Sequence, residues 1–188
     1  MFKKAILAGM CIGISSLLYL NISNKIIGAF LFSLGLITIM LFQYKLYTGV
    51  VGYTETTRDI KNDIIIFIGN LIGTLPFVLF YKSDFILFWE NKISNNLLLV
   101  FCNAFICGIL IYIAVESYKR TNKFLITILC IATFILCGAE HSIADLAYMF
   151  LARNFSWYNI LFITVVALGN AAGAIFFNKM NEEKKLVI

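Results

Sequence analysis

Six apolar runs of helical length alternate with short polar segments: Ala5 to Leu20, Ile26 to Gln43, Ile64 to Tyr81, Leu97 to Val115, Leu125 to Leu151 and Ile160 to Phe177. An α-helix needs about 20 apolar residues to cross the hydrocarbon core of a bilayer, and each run is near that length. The pattern predicts an all-α, polytopic membrane protein with six transmembrane helices. The first run follows Lys3 and Lys4, as the apolar part of a signal peptide does. No small-residue cleavage pattern follows it and the next run begins within a few residues, so it reads as a retained span.

Two features of this pattern recur. The third and sixth runs contain Gly69-Asn70-Leu71-Ile72-Gly73 and Gly169-Asn170-Ala171-Ala172-Gly173, offset by 100 residues. Three spans separate the copies, so duplicated halves would lie in the membrane with opposite orientation, as two inverted three-helix repeats. The competing reading is two unrelated glycine patches where helices touch. The chain is accordingly expected to be one transmembrane domain over 1–188, with halves of approximately 1–92 and 93–188. The second run ends in Gln43-Tyr44-Lys45-Leu46-Tyr47-Thr48-Gly49, and the fifth is interrupted by Gly138-Ala139-Glu140-His141-Ser142-Ile143-Ala144-Asp145. Broken helices free backbone groups that lipid cannot satisfy. Glu140, His141 and Asp145 would each cost about 3 kcal/mol at the bilayer centre, so they should face a cavity or one another. Paired breaks point to a central permeation site.

Composition supports the membrane reading and removes others. Of 188 residues, 61% are apolar, 13% are charged and one is proline. That excludes a soluble monomer, a disordered or collagen-like chain, a coiled coil and a disulfide-stapled domain. The lipid bilayer is therefore an expected partner. The net charge of +5 is spread between apolar runs and forms no stripe for nucleic acid, so no nucleic-acid partner is expected. With the N-terminus inside, cytoplasmic segments carry Lys3, Lys4, Arg58, Lys61, Lys119, Arg120, Lys123, Lys179, Lys184 and Lys185, against Lys25, Lys82, Lys92 and Arg153 outside. The bias predicts a multi-pass protein of the cell membrane with both termini cytoplasmic. Trp89 and Trp157 fall in outer connections, at expected headgroup level. The cysteines form no C-x-x-C and have no histidine pair nearby, so neither a metal nor a cofactor is expected.

These stretches resemble the formate/nitrite transporter family. The likeness rests on Gly28-Ala29-Phe30-Leu31-Phe32-Ser33-Leu34-Gly35-Leu36, Leu46-Tyr47-Thr48-Gly49, Gly69-Asn70 with Gly73, Asn103, Gly138-Ala139-Glu140-His141-Ser142-Ile143-Ala144, and Gly169-Asn170 with Gly173. It covers almost the whole chain, and its specificity lies in the combination. The resemblance implies an aquaporin-like protomer with broken second and fifth helices, a homopentamer, and passage of small monovalent anions, formate first, with nitrite or hydrosulfide as alternatives. It makes His141 the central pore histidine and Thr48 its partner. Phe32, Leu36, Leu46, Ile106 and Phe134 match apolar constriction positions. Glu140 and Asn103 match a pair bracing the fifth-span break, with Asn170 bracing the other break. The chain departs from the family pattern at Lys45, where Glu is usual, and at Asp145, where Asn is usual. No counterparts are expected here for the family's N-terminal amphipathic helix or for its pore-mouth lysine at the usual spacing; Lys92 is the nearest candidate for that lysine.

An anion entering a passage lined by Leu and Phe loses hydration worth many kcal/mol. Histidine can offset this because its ordinary pKa is near neutrality. Lys92 would attract the anion, and His141 with Thr48 would then give it a proton or a strong hydrogen bond. Lys45, beside the second-span break, is expected either to pair with Asp145 or to take part in bracing, through snorkelling or the Asn170 side chain. On the residues alone, His141 reads equally as a histidine tying the break to a neighbour. Two further classes remain: an intramembrane hydrolase using Ser142 or Glu140 beside His141, and a structural membrane protein without transport activity.

Overall fold

The computed structural model describes residues 1–76 and 85–182. The third predicted span therefore loses its tail beyond Pro76, and Lys82, Lys184 and Lys185 fall outside the described residues. The described chain is helical: α1 (Phe2–Asn21), α2 (Lys25–Leu41), a short α3 (Tyr47–Val50) with a 3-10 turn (Val51–Tyr53), α4 (Thr57–Thr74), α5 (Ile86–Ile93), α6 (Leu97–Thr121), α7 (Leu125–Leu136), α8 (Ser142–Ala152) and α9 (Trp157–Glu182). α1, α6 and α9 are long and apolar enough to cross a membrane, while α2, α7 and α8 are shorter apolar helices. α4 ends two residues before Pro76, whose ring cannot continue the hydrogen-bond ladder.

Local chemistry starts these helices. Asn24 accepts from the Ile26 and Ile27 amides to cap α2, Thr56 and Asp59 form a reciprocal capping box on α4, and Asn96 accepts from Leu98 to cap α6. The outward faces carry Leu98, Leu125, Ile26 and Leu34, all at least half exposed. Such a surface suits lipid or another protomer and not water.

The halves are built alike. α1 crosses α4 and α6 crosses α9, both at small residues. A Cβ on Gly73 would overlap the Ile6 carbonyl, and one on Gly173 the Phe105 carbonyl. At Gly69 and Gly169 the added carbon would stand 2.6 Å from the Ala5 and Ala104 methyls. The two crossings share one geometry, so the glycines serve close packing and mark the repeat together. α2 and α7 lie side by side. Each short half-helix reaches into the opposite half, α8 against α1 and α4, and α3 against α6 and α9. α8 is buried along its whole length. The protein is thus an all-α polytopic membrane protein with six transmembrane helices in two inverted three-helix repeats, the second and fifth broken, in an aquaporin-like protomer.

One sequence expectation fails at the periphery. Trp157 is 86% exposed, but Trp89 is fully buried, its ring edge-on to Phe162 at 5.4 Å. Burial of α5 against the bundle outweighs the ring's preference for a headgroup boundary.

Candidate functional site

Both breaks end their first helix in the same way. At α2 the Tyr44 amide donates back to the Ile39 carbonyl at 2.8 Å, with Gln43 left-handed at φ 53. At α7 the Ala139 amide donates to the Phe134 carbonyl at 2.9 Å, with Gly138 at φ 75. These are two Schellman closures 95 residues apart. Gly138 takes its conformation without a steric cost that Gln43 must bear.

Beyond each closure, one asparagine ties the loose strand. Asn70 accepts from the Tyr47 amide at 2.8 Å and donates to the Lys45 and Ala5 carbonyls, both at 2.8 Å. Asn170 accepts from the Ser142 amide at 2.9 Å and donates to the Glu140 carbonyl at 2.8 Å and the Ala104 carbonyl at 2.9 Å. Both side chains are fully buried. Each asparagine satisfies a donor and an acceptor exposed by its own half's break, which buried backbone requires.

His141 caps α8: its Nδ1 accepts from the Ala144 amide at 3.2 Å. A nitrogen accepting that bond carries no hydrogen, so in the neutral ring the proton lies on Nε2. Nε2 stands 2.9 Å from the Thr48 hydroxyl oxygen and donates to it. The hydroxyl's own hydrogen finds no acceptor among the described residues. The bond's direction also disposes of hydrolytic arrangements: Nε2 cannot accept a proton from Thr48 while it holds one, and the Ser142 hydroxyl has no partner among the described residues.

Around this pair lies an apolar layer of Phe32, Leu36, Leu46 and Phe134, all buried. Phe134 stacks on the His141 ring at 5.6 Å and meets Phe32 edge-on at 5.9 Å. Two cavities abut the layer and share no lining residue. One, about 250 Å³, is lined by Tyr19, Phe88, Lys92, Phe134, Glu140, His141 and Asp145 among others. The second, about 600 Å³, is lined by Leu36, Leu46, Tyr53, Lys45, Tyr118 and Lys119 among others. The first lies beside α5, just before α6 begins, and the second at the end of α6, so they open towards opposite ends of the bundle.

The first cavity holds an ion cluster. Lys92 Nζ bridges Glu140 Oε2 at 2.5 Å and Asp145 Oδ1 at 3.2 Å. Asp145 Oδ2 is buried with no hydrogen-bond partner among the described residues.

Several expectations are corrected. Ile106 is 48% exposed, whereas Cys107 and Gly108, next along α6, face the interior; a helix turns about 100° per residue, so Ile106 points away from the layer. Asn103 makes no hydrogen bond to Glu140 among the described residues, and Lys92 holds that carboxylate instead. Asn170 braces the fifth-span break and Asn70 the second, because each asparagine lies on the helix crossing its own half's first helix. Lys92 is not a free cation but the centre of a carboxylate pair, and Asp145 pairs with it and not with Lys45. Lys45 takes part in bracing only through its backbone; its side chain is exposed beside the second cavity. Asn70 is the bracing residue that the sequence reading does not single out. The Gly69-Asn70/Gly169-Asn170 repeat was the available signal for it.

The family model described as "Formate/nitrite transporter" matches residues 1–181. The formate channel FocA of Haemophilus influenzae is 27% identical over 180 residues, covering 77% of this chain and 63% of that protein. FocA of Escherichia coli K12 is 26% identical over the same shares. The chain thus spans less than two-thirds of the length of these curated relatives. Among solved structures, a pentameric formate channel with formate bound superposes with a TM-score of 0.86 at 22% identity, covering 100% of this chain and 96% of that one. An FNT family ion channel gives 0.84 at 19%, covering 98% and 89%. At these identities the two superpositions establish the fold.

Proposed function

Because the chain belongs to the formate/nitrite transporter family, we propose that it passes small monovalent anions, formate first, through each protomer of a homopentamer in the cell membrane. Nitrite and hydrosulfide share the charge and small size that the route requires. Both termini are cytoplasmic in this reading, so the Lys92 cavity opens outward and the Lys119 cavity inward. Support for the substrate comes from the FocA relatives, and for the assembly from the pentameric neighbour.

One observation carries the reading: the buried His141–Thr48 pair stands where the two helix breaks meet, within an apolar layer between two cavities. A bare anion would lose most of its hydration there, at a cost of many kcal/mol. The Thr48 hydroxyl offsets part of that cost by donating its unclaimed hydrogen to the anion, and His141 Nε2 strengthens that donor by hydrogen-bonding its oxygen. The α8 N-terminus adds the positive end of its dipole at the same point. His141 acts here as a hydrogen-bond donor. To act as a proton donor it would first need a second proton on Nδ1, which would face the Ala144 amide donor to donor and break the cap. Phe32, Leu36, Leu46 and Phe134 exclude water and hydrated cations. Glu140, Asn170, Asn70 and the Lys45 backbone keep the breaks in shape.

The test is stopped-flow swelling of proteoliposomes in formate, nitrite, hydrosulfide, acetate and chloride. Rapid swelling in formate, above protein-free vesicles, is expected. Swelling equal to protein-free vesicles in every anion would leave a structural membrane protein as the better reading.

A further inference from the structure

The cavity beside α5 holds charges that do not balance. Lys92 Nζ bonds one oxygen of Glu140 and one of Asp145, so the two carboxylates lie within about 6 Å of each other, where each disfavours ionisation of the other. Their side chains also meet at hydrogen-bonding range, yet a carboxylate has no hydrogen to give another. Glu140 is 2% exposed and Asp145 1%, so water does not relieve the contact. Asp145 Oδ2 has no hydrogen-bond partner among the described residues and keeps its lone pairs free. The surrounding elements bring no second cation. Tyr19 of α1 and Tyr148 of α8 line the same cavity, Cys107 of α6 lies within Coulomb range of both carboxylates, and His141 keeps its Nδ1 for the Ala144 amide. Glu90 of α5 is exposed. α4 and α9 also pack on α8, but α4 carries Arg58, Asp59, Lys61 and Asp63 in its first two turns, and α9 carries Lys179 and Glu182 at its end. One ammonium therefore faces two buried carboxylates.

We infer that Glu140 and Asp145 hold one proton between them, so that the cluster is a proton-binding site with Lys92 as its fixed counter-charge. The proton supplies the donor that both carboxylates lack, and it leaves one negative charge against one ammonium. Two carboxylates this close, away from water, do not both stay ionised. The proton belongs to the pair and not to either residue. The consequence rests on the permeation reading, though the proton itself does not. With the proton bound, the cluster is electrically neutral. Once it leaves, a net negative charge stands beside His141 and repels a small anion from the apolar layer. The pH on that side of the bundle thereby sets how readily an anion enters the layer.

Infrared spectroscopy of the full-length protein in liposomes reads the proton directly, because the C=O stretch of a carboxylic acid is separate from those of a carboxylate and an amide. Wild type is expected to show that band at neutral pH and to lose it as the pH is raised. Asp145→Asn and Glu140→Gln each leave a single carboxylate on Lys92, and each should abolish the band. An acid kept protonated by burial alone would keep it when the other carboxylate is removed. A band retained in either variant would therefore overturn the sharing, and a wild type without the band would overturn the site outright. If Glu140→Gln does not fold, Asp145→Asn decides alone, since it keeps the Lys92 bond to Glu140. In vesicles with the Lys92 cavity facing outward, the ratio of Asp145→Asn to wild-type formate uptake should rise several-fold across the pH range in which the wild-type band fades. A constant ratio would overturn the control of entry by this charge. A wild type that shows the band but gives no formate flux would instead sink the permeation reading and leave the proton site standing.

Discussion

Replacing Asn170 by Leu tests whether single asparagines hold the broken helices. Leucine keeps the branched outline of asparagine in a fully buried position but is bulkier, so some overpacking adds to the cost. It removes three hydrogen bonds. Ala104 lies inside α6 and keeps its helical bond. The Ser142 amide and the Glu140 carbonyl lose the partner that Asn170 supplies at the break. An orphaned buried polar group costs about 1–3 kcal/mol, so the pair should cost about 2–6 kcal/mol. That is a large part of the 5–15 kcal/mol typical of a folded domain. Asn70→Leu orphans the corresponding Tyr47 amide and Lys45 carbonyl and should cost a similar amount. Reversible unfolding in mixed micelles by SDS, followed by circular dichroism, gives both values. Variants within about 0.5 kcal/mol of wild type would refute the bracing role.

Thr48→Val keeps the shape but leaves the His141 Nε2 hydrogen without an acceptor; formate flux should fall on the order of tenfold or more, the equivalent of about 1.4 kcal/mol or more, where the range for one hydrogen bond to a charged group begins. Uptake of 14C-formate into liposomes measures it, and unchanged uptake would remove the hydroxyl from the path. Gly173→Ala drives a methyl into the Phe105 carbonyl and should lower stability by about 1–3 kcal/mol, read as a lower melting temperature in detergent. An unchanged melting temperature would mean that the α6–α9 crossing is looser than described.

The spans, the two breaks and the inverted repeat were legible because length, polar interruption and a recurrent Gly-Asn pattern are local properties. The orientation of α6 was not. Nearly every position from Leu97 to Val115 is apolar, and a helix hydrophobic all round carries no phase, so Ile106 and Cys107 could not be told apart. Lys92 illustrates a second limit. Its partners lie 48 and 53 residues further along, on the break and on α8, and only the packing of α5 against α8 brings them together. Lys45 and Asp145 have opposite charges and sit beside the two breaks, which made them natural partners in one dimension. In three, the first carries its side chain to one cavity and the second lies at the other. The Asn70 and Asn170 motifs were visible, but which break each one braces follows from the α1–α4 and α6–α9 crossings.

The most direct measurement is the rate of formate uptake by liposomes containing the His141→Asn variant. Asparagine can still cap α8 at its N-terminus, so the fold is retained while the imidazole that polarises Thr48 is lost. The account predicts a protein that still folds, with a melting temperature lowered by loss of the Thr48 bond and the Phe134 stack, and uptake reduced on the order of tenfold or more. Wild-type uptake by a folded His141→Asn protein, at every pH tried, would contradict it.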